Sequence, residues 1–189
     1  MKAVMISIKP KWVEKIASGE KTIEVRKTAP QEVPFKCYIY ETQGRTETPW
    51  IDEDGHFIYK GRGQVIGEFI CDKVERLEEH IQHGGLYYIV SYAFNEQAQL
   101  DNWELHDYGK GKPPYAWHIS DLKIYDRPRE LSEFKKTKEI IARTCGMHAR
   151  NGLCWAIDHK ELCDNIKCCF KTPCPPQSWQ YIEDLGEEE

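Results

Sequence analysis

The chain has 189 residues, a formal net charge of −5 and eight cysteines. That length suits one domain of ordinary size or one domain with an appendage, and the acidic balance argues against wholesale electrostatic binding of nucleic acid. No apolar run is long enough to cross a bilayer and the first residues lack the apolar core of a secretion signal, so the expectation is a cytoplasmic protein with no membrane partner.

Residues 3–8 read as a first strand and 9–18 as a short helix. Pro10 suits a first helical position, Trp12, Val13, Ile16 and Ala17 make one apolar stripe, and Gly19 can close the end in a left-handed turn. Ile23 and Val25 then alternate with Thr22, Glu24 and Arg26. This period of two predicts a strand with one face in a core and a carboxylate and a guanidinium facing outward. Residues 28–34 form a turn-rich connection. The next strand, 35–42, alternates Cys37 and Ile39 against Tyr38 and Tyr40, which with Trp12 are assigned to packing. Residues 43–63 are irregular, with a small hairpin expected around Asp54-Gly55. A long apolar strand over 64–74 contains Gly67, the mark of a bulge or bend.

Residues 86–94 fit strand or helix equally. Helical spacing through Leu100, Trp103 and Leu105 predicts one helix over 96–106, ended by Gly109-Lys-Gly-Lys-Pro-Pro114. Residues 115–125 form the last clear strand before 131–142, which has a partial helical stripe. Short strands with scattered short helices predict an α+β, mainly β fold built on a small β-barrel.

The stretch Gly19-x-Lys21-x-x-Glu24-x-Arg26, after a strand and a helix, resembles the defining motif of the ASCH domain, a relative of the PUA-like β-barrels. The opening Ser7 to Lys27 is particularly similar to stand-alone ASCH proteins of Gram-positive bacteria and their phages, as are Gly67-Glu68-Phe69, Tyr115-Ala-Trp-His-Ile-Ser120 and Pro176-Gln-Ser-Trp179. The resemblance implies a PUA-like barrel over 1–130 and a final segment, 176–189, folding back on the barrel before an acidic tail; the residues between, 131–175, read by themselves as a helix plus Cys-rich appendage. It also implies a cleft beside the charged strand that binds RNA or a modified nucleotide. Some compact bacterial ASCH proteins are amidohydrolases acting on N4-acetylcytidine, with the motif lysine, a further glutamate and a threonine where this chain has Glu24. Another member cuts RNA. The carry-over therefore includes Lys21 and Arg26 but not the nucleophile, and deacetylation ranks second to binding.

The residues give their own reasons for a site. Residues 1–36 hold eight Lys/Arg against four acids, a net of +4, leaving −9 for the remainder. Such a basic patch fits a phosphate or a short strand in a groove. Lys21 can bind phosphate as a point charge or, desolvated, act as a base. Glu24 can accept from a base-edge amino group and Arg26 can fork onto phosphate. In an enzyme, Lys21 and Glu24 would be the catalytic pair. Trp117 is a candidate stacking platform with core packing as the alternative. Glu68, amid apolar residues, either pairs with Lys21 or Arg26 or takes a plain outward-facing strand position, and Lys9 adds to the basic rim. His118 is either a core histidine or a proton carrier. Gln177 and Ser178 are placed to reach the cleft, with Trp179 packing.

Six of the eight cysteines fall between 145 and 174. In a cytoplasmic protein that density favours metal over disulfides, and Zn²⁺ takes four thiolate or imidazole ligands. Cys145, Cys154, Cys163 and Cys168 are the candidate set for a structural zinc. Free thiols and disulfides are the alternatives, because no CxxC pair is present.

Overall fold

The computed structural model describes residues 2–43, 50–51, 57–58, 61–78, 80–82, 85–87, 92–135 and 175–186. Strand β1 (Lys2–Ile8) leads into α1 (Pro10–Ala17), then β2 (Ile23–Arg26) and β3 (Phe35–Glu41). Two short ribbons follow: β4 (Trp50–Ile51) with β5 (Phe57–Ile58), and, after β6 (Val65–Cys71) and β7 (Val74–Arg76), β8 (His80–Gln82) with β9 (Gly85–Tyr87). Helices α2 (Tyr92–Ala98) and α3 (Asn102–Gly109), strands β10 (Tyr115–His118) and β11 (Ser120–Arg129), a 3-10 turn (Leu131–Glu133) and β12 (Trp179–Ile182) complete the order.

The fold is mainly β with short helices, as the patterning predicts, but the expected barrel is not closed. The described strands make a five-stranded sheet, β11-β6-β3-β1-β12, and a three-stranded sheet, β2-β10-β7. The two segments expected as single strands over 64–74 and 115–125 each break, at Asp72–Lys73 and at Ile119, and cross together from one sheet to the other. Ile119 N–H donates to Thr22 O and His118 N–H to Lys73 O, which satisfies the backbone at this corner. No ladder joins the sheets elsewhere among the described residues. Gly67 lies in the β6–β11 seam, where an added Cβ would sit 2.5 Å from Lys123 O.

The large sheet is covered on both faces. Val4, Ile6, Ile8, Cys37, Ile39, Phe35, Phe69 and Trp117 pack with Val13 and Ile16 of α1 on one side. Ala3, Met5, Tyr38, Tyr40, Val65, Ile182 and Phe134 pack on the other. The β3 alternation is thus real, with each parity filling a different core. The small sheet turns Ile23, Val25 and Ala116 toward Ala98 and Leu105 of the helices. Burying side chains such as Phe35, Phe69 and Ile39 contributes roughly 1.5–3 kcal/mol each before chain entropy is counted.

Two helix expectations change. The helix expected over 96–106 is two, divided at Asp101. Its side chain accepts from Glu104 N–H (2.7 Å) while the Glu104 carboxylate accepts from Asp101 N–H (2.9 Å), a reciprocal cap that starts a new helix. The helix expected over 131–142 gives way, in its described part, to the 3-10 turn. Phe134 is extended there, which lets its ring reach Tyr38 at 5.0 Å between centroids. The rest of that helix and the cysteine cluster lie outside the described residues.

Candidate functional site: a cleft over a buried Lys–Glu–Arg cluster

The motif strand is entered from a helix that stops on cue. Gly19 adopts φ +81 just past the α1 C-cap. Lys21 N–H then bonds Lys15 O and Thr22 N–H bonds Gln97 O, so Lys21 precedes the strand and its side chain is free of the strand's parity. All four β2 residues are buried. The face expected to be solvated is covered because β10 places Trp117 directly across from Glu24.

Three charges converge there. Lys21, Glu24 and Arg26 are 2%, 6% and 9% exposed. Glu24 Oε1 lies 3.0 Å from Arg26 Nη2, and Oε2 lies 3.6 Å from Lys21 Nζ, an ion pair beyond hydrogen-bonding distance. Lys21 Nζ donates to Ala98 O (2.5 Å) and Arg26 Nη2 to Ser7 O (2.7 Å). Glu24 Oε2 and Arg26 Nε make no hydrogen bond among the described residues, a costly condition for buried polar atoms. Burial lowers the Lys21 pKa below its ordinary value, with the Glu24 carboxylate resisting. The nearby Tyr108 phenol is raised by burial and pulled back by Arg26.

Above this cluster opens a cleft of about 760 Å³. The ends of β1 and β3 supply Ser7, Ile8 and Tyr40. Lys9 and Trp12 come from the start of α1, and Glu104, Asp107 and Tyr108 from α3. Pro175, Pro176 and Gln177 close another side, held because Ser7 Oγ donates to Pro176 O (2.6 Å) and Ser7 N–H to Ser178 O (2.9 Å). The half-buried Trp12 has the Lys21 ammonium 5.1 Å and the Lys11 ammonium 5.0 Å from its ring centroid.

Lys9, Lys21, Glu24 and Arg26 therefore share one cleft, and Gln177 reaches it. Trp117 does not. It is fully buried between Phe35 (5.1 Å) and Trp179 (5.6 Å), both in edge-to-face contact, and presents no free face. Trp12, assigned to packing, is the indole on the cleft wall. Its place at the edge of the α1 stripe, one turn from the helix start, was the available signal. Glu68 is also elsewhere. It faces the Tyr38 side of the sheet, where it accepts from Tyr125 Oη (2.6 Å) and lies 3.8 Å from Lys36 Nζ. His118 sits beside Glu75, with Nε2 2.5 Å from Oε2. Thr22 is exposed and lines no part of the cleft. Cys145, Cys154, Cys163 and Cys168 lie outside the described residues. Among the described residues no group of three or more His, Cys, Asp or Glu is placed to hold a metal ion, and no helix is long and apolar enough to cross a membrane.

No family model and no curated protein matches the sequence. Solved structures do. The ASCH protein from Zymomonas mobilis is 16% identical with a TM-score of 0.51, over 96% of this chain and 88% of that one. A tyrosine-to-phenylalanine variant of it superposes at 0.50 over 97% and 91%. A serine-to-alanine variant gives 0.50 over 96% and 89%. The chain has the fold of these ASCH structures.

Proposed function

We propose, with the ASCH fold as premise, that this protein binds RNA or a modified nucleotide in the cleft above Lys21, Glu24 and Arg26. The observation that carries the reading is a roomy cleft floored by a buried cation–carboxylate–cation cluster that retains unmet hydrogen-bonding capacity. Its volume falls in the range of small-ligand sites, and Trp12 supplies an aromatic wall against which a base can stack. Calorimetric titration with nucleosides, nucleotides and short single-stranded RNAs tests it. Binding that weakens in Trp12→Ala while the variant still unfolds cooperatively from a folded state supports the reading, and no binding across the panel refutes it.

A second reading, hydrolysis of a modified nucleoside or RNA, is favoured by one feature. Desolvation leaves a larger share of Lys21 as the neutral amine that a general base requires, and Glu24 stands 3.6 Å away to exchange a proton or hold the resulting charge. An amidohydrolase on this plan would draw its nucleophile from water, because Thr22 lines no part of the cleft and the motif position is a glutamate. Incubation with N4-acetylcytidine and short RNAs, followed by mass spectrometry, tests turnover. Products formed by the wild type and lost in Glu24→Gln support catalysis.

A further inference from the structure

Among the described residues six charged side chains line the cleft, and four of them are committed. Lys21, Glu24 and Arg26 pair among themselves, two cations to one carboxylate, and Glu104 is held by the backbone of Asp101. The remaining two, Lys9 and Asp107, make no side-chain hydrogen bond or ion pair among the described residues. Both are exposed to solvent at the cleft, and they stand on different walls, Lys9 at the start of α1 and Asp107 on α3. A cleft with one uncommitted cation and one uncommitted carboxylate on separate walls is matched to a ligand with unlike ends. A polyphosphate or a long strand would bring more negative charge than Lys9 and the one surplus cation of the floor can meet, and would bring it close to Asp107.

Resting on the nucleotide-binding reading above, we propose that the cleft selects a single-phosphate nucleotide whose base carries an exocyclic amino group. Lys9 holds the phosphate as a point charge, and the Asp107 carboxylate accepts from the amino group. The base lies along Trp12 between them. An oxo group in place of the amino group would set two acceptors against each other at Asp107, which gives discrimination by repulsion as well as by attraction.

The test is calorimetric titration with cytidine and uridine, their 5′-monophosphates, and adenosine and inosine 5′-monophosphates. Within each base pair the partners differ at an amino or oxo position. Wild-type protein should bind each amino-bearing monophosphate about fivefold to tenfold more tightly than its oxo partner, and cytidine monophosphate more tightly than cytidine by a similar factor. Lys9→Ala should remove the phosphate advantage and leave the amino preference. Asp107→Asn should do the reverse. Both positions are exposed, so unfolding temperatures should match the wild type. Equal binding of amino and oxo partners, or variants that keep both preferences, overturns the proposal while leaving nucleotide binding intact. Failure of every nucleoside, nucleotide and short RNA to bind overturns both.

Discussion

Replacing Glu24 with glutamine removes the one carboxylate that two buried cations share. Glu24 is 6% exposed, within 3.0 Å of Arg26 and 3.6 Å of Lys21. Breaking a buried pair by deleting one partner costs about 3–5 kcal/mol, and glutamine's carbonyl still accepts from Arg26, so the lower end, about 3 kcal/mol, is expected. At about 2–4 °C per kcal/mol for a chain of this size, the melting temperature should fall by about 6–12 °C. The loss should depend on pH. Burial and Arg26 both lower the Lys21 pKa and Glu24 opposes them, so without Glu24 the folded lysine holds its proton still less tightly. The unfolded chain then binds more protons over a wider range below pH 10.5, and stability of the variant should climb from pH 7 toward pH 9 more steeply than that of the wild type. Thermal unfolding followed by circular dichroism at several pH values measures both effects. Lys21→Met combined with Glu24→Gln should recover part of the loss, since it removes the stranded cation. A drop below about 1 kcal/mol, or effects of the two substitutions that simply add, would refute the coupling of this cluster.

Three further outcomes are expected. Trp117→Ala should cost about 3–5 kcal/mol in urea unfolding because the ring is fully buried, while Trp12→Ala, at a half-buried ring on the edge of the same core, should cost less stability and weaken ligand binding about tenfold. Stability should fall as pH rises above about 9 to 10. Burial raises Cys71 to about 12 and pushes Tyr38 and Tyr125 well above their ordinary values, so the unfolded chain ionises first and gains from the loss of protons. Spectroscopic titration of the phenols, with Tyr38→Phe and Tyr125→Phe flattening the fall, checks this. Gly67→Ala should destabilise by about 1–3 kcal/mol, read as a lower melting temperature, because the new methyl group meets the backbone oxygen of Lys123 rather than a side chain that can swing aside.

Local chemistry made parts of this molecule readable. Pro10 opens α1 and Gly19 closes it in the left-handed conformation, and the period of two in Ile23-Glu24-Val25-Arg26 separates its faces correctly. What that period does not carry is whether the second face meets water. Glu24 is enclosed by Trp117, ninety-three residues on, and Trp117 by Phe35 and Trp179, so its burial depends on strand pairing between distant segments. Of the two readings of Glu68 the outward-facing one holds, and for the same kind of reason the sequence left both open: alternation along β6 separates two faces without saying which one adjoins the cleft, and only the pairing with Tyr38 decides. The division of α2 from α3 was legible, since Asp101 and Glu104 have capping spacing inside a hydrophobic pattern that hid it. The convergence of Lys21 on Glu24 was not legible from parity, because the lysine lies before the strand begins.

Ser7 ties together parts of the chain far apart in sequence. Its carbonyl holds Arg26, its amide and hydroxyl hold Ser178 and Pro176, and the strand after them pairs with β1. A nascent chain emerging from the ribosome has its motif residues early, yet lacks one side of the cleft and an edge of the main sheet until residues near 182 are out. A product truncated before Pro175 would carry the whole motif without one wall of the cleft and without an edge strand of the main sheet.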